Sequence, residues 1–212
     1  MATCQERCFQ ERSFRFALKP PGFRPVIARG FEMRPIAGFG FLLLALPSAL
    51  GAELTPCFTP GEDCTAFIAR QIDGAKSELL VQAYTFSSAP IIQAIGRAKD
   101  RGVDVRVILD RVSEQQRYTG ATYLQNHGIS PLIDDLVSIA HNKVIVIDGR
   151  DVITGSANFT KAAQSRNAEN VLLIKDSPTL AAAYAANWQR RAAVARPLRD
   201  FRQNRVDMRA EP

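Results

Sequence analysis

Residues that hold metals are scarce in this sequence. Its 212 residues include two histidines, His127 and His141, and four cysteines in two pairs. The pair formed by Cys57 and Cys64 has no histidine or further cysteine nearby, as a tetrahedral zinc site requires. We therefore expect neither a metal centre nor a cofactor. The sequence also shows no internal repeat, so any catalytic motif in it occurs once.

A hydrophobic run long enough to span a membrane is also lacking. The apolar stretch 36–46 has about 11 residues, which is too short to cross a bilayer core of roughly 30 Å. It follows Met33 and one positive charge, and small residues follow it, so 33–51 is typical of a secretory signal peptide. A membrane anchor is the alternative. We predict an exported protein, periplasmic or secreted, with no stable membrane span.

Residues 1–32 have no sustained periodicity. This segment is rich in arginine and contains two consecutive prolines. We interpret 1–32 as a doubtful leader, since translation starting at Met33 would place the signal peptide at the N-terminus. A genuine N-terminal extension is the other interpretation.

The excess of basic residues is small in the part of the chain that we expect to fold. The formal net charge is +6, but residues 1–51 carry seven basic and three acidic residues. Residues 52–212 therefore hold 20 basic and 18 acidic side chains. Overall basicity does not identify a polyanionic partner.

Hydrophobic periodicity predicts helices and strands that alternate along 52–195. The predicted helices lie at about 62–76, 90–101, before 126 and 179–194, and the predicted strands at 78–86, 103–109, 129–133, 144–147, 151–154 and 169–174. This order indicates one α/β domain with a mixed sheet. Cys57 and Cys64 open the domain, and in an oxidising compartment they are candidates for a disulfide. Residues 196–212, with five arginines, are predicted to form a basic tail, either solvated or a docking strip.

One cluster of residues carries the chemistry. His141 and Lys143 are two apart at the start of a predicted strand, so their side chains project from one face. The chain turns at Asp148 and returns along a second strand, which brings its exit back beside them. The residues at that exit are Gly155, Ser156 and Asn158. A site with imidazole, ammonium, hydroxyl and carboxamide groups suits a phosphate oxygen.

This pattern resembles the signature of the phospholipase D superfamily. The order His-x-Lys-x4-Asp-x6-Gly-Ser-x-Asn runs without a gap from His141 to Asn158. The similarity covers about residues 56–192 and is closest in character to the small bacterial endonuclease branch, which has one motif per chain. The mitochondrial cardiolipin hydrolase group has a similar plan. The resemblance implies a phospholipase D-like α/β sandwich, a mixed sheet flanked by helices.

The resemblance also implies a role for each residue. His141 is expected to be the nucleophile that forms a phosphohistidine, and Lys143, Ser156 and Asn158 are expected to bind phosphate. Glu169 matches a carboxylate beside the histidine that orients its ring. Asp148 is expected to anchor the turn, Gly155 to permit close backbone approach, and no metal is implied.

A single motif predicts a dimer. The family's reaction uses two histidines, one to attack phosphorus and one to protonate the leaving oxygen. His127 lacks a following lysine, so we expect a two-fold dimer that shares one active site. Nucleic acid is the favoured substrate, with candidate groove arginines at 111, 117, 166, 190 and 191. A phospholipid, cleaved to phosphatidic acid, is the alternative.

Overall fold

A computed structural model describes residues 51–114 and 120–199 of the chain. The chain divides into two units, Met1–Pro47 and Ser48–Pro212. The predicted leader 1–32 and nearly all of the predicted signal peptide 33–51 lie outside the described residues. So does the segment 200–212 of the predicted tail. Within the described part, no helix is long and apolar enough to cross a membrane.

The described residues form eight strands and five α-helices in the predicted alternating order. The strands are β1 (Glu53–Thr59), β2 (Glu78–Ala83), β3 (Asp104–Asp110), β4 (Leu132–Asp134), β5 (Lys143–Ile147), β6 (Asp151–Gly155), β7 (Glu169–Lys175) and β8 (Arg196–Pro197). The helices are α1 (Cys64–Asp73), α2 (Ala89–Asp100), α3 (Gly120–Asn126), α4 (Lys161–Ser165) and α5 (Pro178–Ala192). A single 3₁₀ turn, Arg111–Glu114, follows β3.

All eight strands belong to one sheet in the order β1-β7-β6-β5-β2-β3-β4-β8. Strands β2, β3 and β4 are parallel, and the remaining pairs are antiparallel. The sheet is therefore mixed, as the sequence predicts. The start of β5, the end of β6 and the start of β7 lie at the same end of the sheet. Residues 141–143, 155–156 and 169 therefore come together there.

Two hydrophobic cores lie on opposite faces of the sheet. Helices α1 and α2 pack on one face, with buried isoleucines such as Ile72 and Ile95 against the central strands. Helix α5 covers the other face, where Trp188 is buried and its indole N–H donates to the carbonyl of Val81 at 3.0 Å. The architecture is the α/β sandwich that the sequence predicts, and it holds the strand ends rigidly.

Three short elements depart from the predicted pattern. Strand β1 was not predicted, because Pro56 interrupts its alternation and only its last residues are buried. Helix α4 has five residues, too few to show a helical period. The tail predicted to begin at 196 starts later, because Arg196 and Pro197 pair with β4 as β8.

Arg196 explains this difference. Its guanidinium binds the carboxylate of Glu114 at 2.6 Å and that of Asp135 at 2.7 Å. The two ion pairs hold Arg196 against the domain. The sequence predicts that Arg196 belongs to a basic tail, whereas in the structure it is part of the folded domain. The folded domain continues at least to Leu198, whose backbone N–H donates to Pro131.

A disulfide joins Cys57 of β1 with Cys64, the first residue of α1. Both cysteines are buried. The bond connects the outermost strand to the helix that packs on the first core. The carboxylate of Glu62 lies close to both sulfurs, but sulfurs joined to each other are not available as thiolate ligands for a metal.

Candidate active site

His141 and Lys143 lie together at the start of β5. His141 is exposed, whereas Lys143 is 7% exposed. The ammonium Nζ of Lys143 donates to the backbone carbonyl of His141 at 2.9 Å. The ring of Tyr84 contacts the His141 imidazole with ring centroids 4.7 Å apart, and Lys143 Nζ lies 5.5 Å from the same ring. The accessible imidazole of His141 and the buried ammonium of Lys143 therefore both lie near the ring of Tyr84.

The environment of Lys143 disfavours its charge. Burial lowers the pKa of Lys143, and the negative charge of Glu169 offsets part of that effect. Among the described residues, no carboxylate oxygen lies within 4 Å of the Lys143 ammonium, the distance that defines an ion pair. Buried charges are normally paired. The site therefore presents a buried cation without an ion-pair partner.

Ser156 and Glu169 are joined across β6 and β7. The hydroxyl of Ser156 donates to Glu169 Oε2 at 2.6 Å and accepts from the backbone N–H of Asn170 at 3.0 Å. The other oxygen of Glu169 accepts from Asn167 Nδ2 at 2.9 Å. Glu169 is thus held on both oxygens by polar side chains. Its predicted role in orienting the His141 ring stays a prediction.

Gly155 allows the two strands to meet closely at this point. A Cβ atom built on Gly155 would lie 2.2 Å from the carbonyl oxygen of Asn170, and the backbone has a φ of 154°. No other residue fits such a contact without moving the backbone. The glycine keeps Ser156 beside Glu169, because Ser156 and Ala157 both donate their N–H groups to the same Asn170 carbonyl.

Asn158 lies between two buried residues, Ala157 and Phe159. Its Oδ1 atom is buried and has no hydrogen-bond partner among the described residues. A cavity of about 10 Å³ lies beside it. An unpaired buried polar atom costs about 1–3 kcal/mol, a cost that proteins accept mainly at functional positions or where water enters.

Asp148 lies at the opposite end of β5, in the turn to β6. It has a φ of 52° and Gly149 a φ of 64°, which are the two left-handed conformations of a type I′ hairpin turn. Its carboxylate accepts from the backbone N–H groups of Lys76, Ser77 and Glu78. Asp148 therefore stabilises the fold, and the strand length separates it from the reacting groups.

Two residues at the site were not singled out from the sequence. Tyr84 contacts the ring of His141, and its backbone N–H donates to Asn142 at 3.0 Å. Asp110 is 3% exposed and accepts the backbone N–H of Ala140, the residue before His141, at 2.7 Å. Both follow or end central strands. A polar or aromatic residue at the carboxyl end of a buried strand is the signal that marks them.

Several candidates lie elsewhere. The ring of His127 stacks on Tyr123 with centroids 4.0 Å apart, and its Nδ1 is 3.0 Å from the Tyr123 carbonyl. Arg191, proposed for a groove, instead forms a bidentate pair with buried Asp134. Arg117 lies outside the described residues. Of the predicted groove arginines that the structure describes, Arg111, Arg166 and Arg190 are exposed.

The grouped residues can stabilise a phosphate and react with it. Lys143 can pair with a phosphoryl oxygen, and Ser156 can donate to one after exchanging its bond to Glu169. The accessible imidazole of His141 can act as a nucleophile or transfer a proton. Together these groups can support attack on a phosphodiester and stabilise its oxygens.

Comparison with known proteins gives consistent relatives. A family model described as cardiolipin synthase, PLD-like domain matches residues 68–192. Phospholipase D of Rickettsia felis is 49% identical over 144 residues, which cover 68% of this chain and 72% of that protein. Mitochondrial cardiolipin hydrolase of Homo sapiens is 34% identical over 138 residues, covering 63% of this chain and 55% of that protein.

Solved structures share the architecture. Nuc from Salmonella typhimurium, a phospholipase D family member, is 34% identical and superposes with a TM-score of 0.66. The match covers 70% of this chain and 99% of Nuc. NucT from Helicobacter pylori, at 22% identity and a TM-score of 0.63, shares the fold over 69% of this chain and 99% of that protein.

Proposed function

The chain belongs to the phospholipase D superfamily of phosphodiesterases, and from this membership we propose that it is a metal-independent nuclease. It would hydrolyse DNA and RNA phosphodiester bonds through a phosphohistidine formed on His141. The resemblance that the motif indicates is confirmed at the level of the family. The substrate, the intermediate and the assembly are the proposal.

The observation that carries the proposal is the buried ammonium of Lys143, which has no ion-pair partner among the described residues. A cation in a low-dielectric environment is costly unless an anion approaches it. A phosphate oxygen would supply that anion, and its charge would increase as the transition state forms. Glu169 is a carboxylate whose charge acts on Lys143, and its oxygens already accept from Ser156 and Asn167.

The proposed reaction has two displacement steps. The His141 imidazole attacks phosphorus, a P–N bond forms, and the P–O bond to the leaving group breaks as a second imidazole donates its proton to that oxygen. Water, deprotonated by the second imidazole, then attacks phosphorus and breaks the P–N bond. Lys143, Ser156 and Asn158 would stabilise the phosphoryl oxygens in both steps.

The second imidazole would come from a second copy of the chain. His127 follows α3 and stacks on Tyr123, and the hydrogen bond and ring contact described for it are both with Tyr123. The loop directly before His141 carries three exposed apolar side chains, Leu136, Val137 and Ile139. We call residues 136–139 the apolar loop. Burying it against a partner would remove apolar surface from water and bring two His141 residues to a common cleft.

Nucleic acid is favoured as the substrate for two reasons. The similarity to Nuc spans 99% of that protein. Exposed arginines at 111, 166 and 190 can contact phosphates on either side of a scissile bond. We also propose export of the enzyme, since the Cys57–Cys64 disulfide fits an oxidising compartment.

A phospholipid is the second candidate substrate. Two observations favour it: relatives of up to 49% identity bear the name phospholipase D, and the apolar loop lies beside His141. If the protein were monomeric, this loop would be free to contact a lipid surface.

Parallel assays in EDTA test the proposal. We expect the purified protein to cleave plasmid DNA, single-stranded DNA and RNA in EDTA, and to leave phosphatidylcholine vesicles intact. His141→Ala should lower turnover by roughly a thousand-fold or more, since it removes the nucleophile. Lys143→Met should also be inactive, whereas Lys161→Met, at an exposed position, should match the wild type. Circular dichroism checks the fold of each variant.

Two results would contradict the mechanism. One is strict dependence of cleavage on an added metal, and the other is an active His141→Ala protein. Hydrolysis of phosphatidylcholine without cleavage of nucleic acid would replace the first candidate substrate with the second. Quenching in alkaline detergent during turnover of a DNA labelled with ³²P should trap label on the protein, because the P–N bond of phosphohistidine is stable in alkali and labile in acid. Lys143→Met should trap none.

A further inference from the structure

A cavity of about 340 Å³ begins at Thr85, the residue after Tyr84, whose ring contacts His141. Its walls come from the chain after β2, the first turn of α2, the 3₁₀ turn after β3, and α3. The side chains that matter for recognition are four neutral hydrogen-bonding groups and two aromatic rings: Thr85, Ser87, Gln93, Ser113, Phe86 and Tyr123. Nothing in the proposed chemistry uses this space.

The cavity wall is continuous with the active site on two sides. Thr85 follows Tyr84, whose ring contacts His141. Phe86 pairs with Phe159, the residue after Asn158, and the N–H groups of Ser87 and Ser88 both donate to the Phe159 carbonyl at 2.8 Å. The cavity is therefore joined through the backbone to Tyr84 and to Phe159, which follows Asn158.

The walls of the cavity are set by close packing. Phe86 is 4% exposed, and a Cβ atom built on Gly120 would lie 2.4 Å from its ring. Glycine at 120 therefore lets α3 rest directly on Phe86. A pocket whose walls exist before the ligand arrives loses less conformational entropy on binding.

The lining selects a neutral, flat group that forms hydrogen bonds. Hydroxyl and carboxamide groups both donate and accept, as the edge of a nucleobase requires. Among the described residues that line the cavity, none is charged, so a cationic headgroup would find no carboxylate. The lining also includes Ile92 and Val112, which can contact the face of a base. An acyl chain would offer no hydrogen bond to the four polar side chains, as the edge of a base does. Aromatic rings, in contrast, stack on bases irrespective of sequence.

We propose that this cavity receives the base of the nucleotide next to the scissile phosphate. The inference rests on the proposed phosphodiesterase function and assigns nucleic acid, rather than lipid, as its substrate class. Its volume is near the lower end of the roughly 300–1,000 Å³ of small-molecule sites. One base with its sugar suits this space, and recognition through stacking would leave the enzyme with little sequence preference.

Dinucleotides that lack one base test the inference. The substrates are a dinucleoside monophosphate and two analogues, abasic on the 5′ or the 3′ sugar. We expect the wild type to lose about ten-fold in kcat/KM on one analogue only, the effect of one base stacked on an aromatic ring. The same base should tighten binding to the inactive His141→Ala protein by a similar factor, which gives a readout without turnover.

Two variants with matched controls link the base effect to the cavity. Ala89→Trp fills the cavity from the exposed start of α2, and Gln93→Ala removes one hydrogen-bonding group. Each should lower kcat/KM on the full dinucleotide and leave the sensitive abasic analogue nearly unchanged. Ala182→Trp on α5 and Gln125→Ala on α3, both exposed and outside the cavity, should behave as the wild type does.

The remaining outcomes overturn the inference in distinguishable ways. If both abasic analogues are cleaved as fast as the parent, the cavity does not bind a base, although the phosphodiesterase function stands. If only phosphatidylcholine is hydrolysed and Ala89→Trp slows it, the cavity holds part of a lipid. If no phosphodiester is hydrolysed at all, the proposed function fails together with the inference.

Discussion

The carboxylate of Asp148 accepts hydrogen bonds from three consecutive backbone N–H groups, at residues 76–78, about 70 residues earlier in the chain. Burial alone would raise the pKa of Asp148, but the hydrogen bonds from Ser77, Glu78 and Lys76 outweigh it, and the pKa is lowered. The ionised form is therefore favoured in the folded protein. A residue of the catalytic motif thus contributes to stability rather than to chemistry.

Asp148→Asn should destabilise the protein at neutral pH. A depressed pKa contributes stability above the pKa of the unfolded chain, about 3.9, and that stability is lost as the pH falls through the folded pKa. We expect the variant to lose about 1–3 kcal/mol in free energy of unfolding at pH 7 and the difference to shrink by pH 3. Urea titrations at both pH values measure this.

Asp100→Asn is the control for this experiment. Asp100 is exposed at the end of α2, so its replacement should leave the stability nearly unchanged at both pH values. A wild-type advantage over Asp148→Asn that stays constant from pH 7 to pH 3 would argue against a role for the ionised carboxylate.

The positions of the motif residues can be predicted from the sequence, whereas the contacts around them cannot. The spacing of His141, Lys143 and Ser156 predicts that they meet, since adjacent antiparallel strands return to the same end of the sheet. It does not predict that Lys143 is buried without an ion pair. Neither does it predict that Glu169 bonds Ser156. Burial and pairing depend on groups distant in sequence, such as Asn167 and Tyr84, whose positions only the folded chain sets.

The segment before β5 is held at several points. Asp110 accepts the N–H of Ala140, and Arg111 donates to the carbonyl of Ser138 at 3.1 Å. On the other side, Asp134 and Asp135 pair with arginines from the C-terminal part of the domain. These contacts fix both ends of the apolar loop while its side chains stay exposed. His141 is therefore positioned by its own strand and by the end of β3.

The Cys57–Cys64 disulfide should stabilise the start of the domain. Closing a loop of this length restricts the unfolded chain and contributes about 2–3 kcal/mol. We expect dithiothreitol to lower the free energy of unfolding by this amount in urea titrations. The effect should disappear in the double variant Cys57→Ala/Cys64→Ala and persist in Cys4→Ala/Cys8→Ala. Sensitivity that follows the second pair instead would refute this assignment.

Long, periodic elements were predictable, and short or context-dependent ones were not. Helix α2 and strands β5 and β6 match their predicted positions within a residue or two, because the apolar spacing is strong and turns bound them. The predicted hairpin at Asp148 and Gly149 forms, since both residues tolerate a positive φ. Strand β8 depends on the ion pairs of Arg196 with carboxylates distant in sequence, so the residues around Arg196 do not predict it.

At the scale of the whole molecule, the proposed dimer makes the apolar loop essential for activity. Leu136 is 68% exposed beside His141, whereas Leu54 is 60% exposed on β1 at the far side of the sheet. We expect Leu136→Asp to be monomeric and inactive, because the charge opposes burial of the loop. Leu54→Asp, at matched exposure, should remain dimeric and active. Light scattering after size exclusion and nuclease assays measure both properties.

Other outcomes separate the uses of this loop. A wild-type protein that is active as a monomer would remove the shared site. A Leu136→Asp protein that stays dimeric but loses only activity on vesicles would assign the loop to lipid contact.

The two outermost strands restrict how copies of this protein can associate. Open strand edges recruit further strands and promote aggregation. On one edge, Pro56 removes a backbone donor from the middle of β1, and the disulfide pins that strand to a helix. On the other edge, β8 is two residues long and offers almost no template. In the part of the chain that the structure describes, neither edge therefore offers a long, uninterrupted template for β-sheet growth. The proposed dimer would form through the strand ends where His141 lies, and these edges would keep it a closed pair rather than a growing sheet.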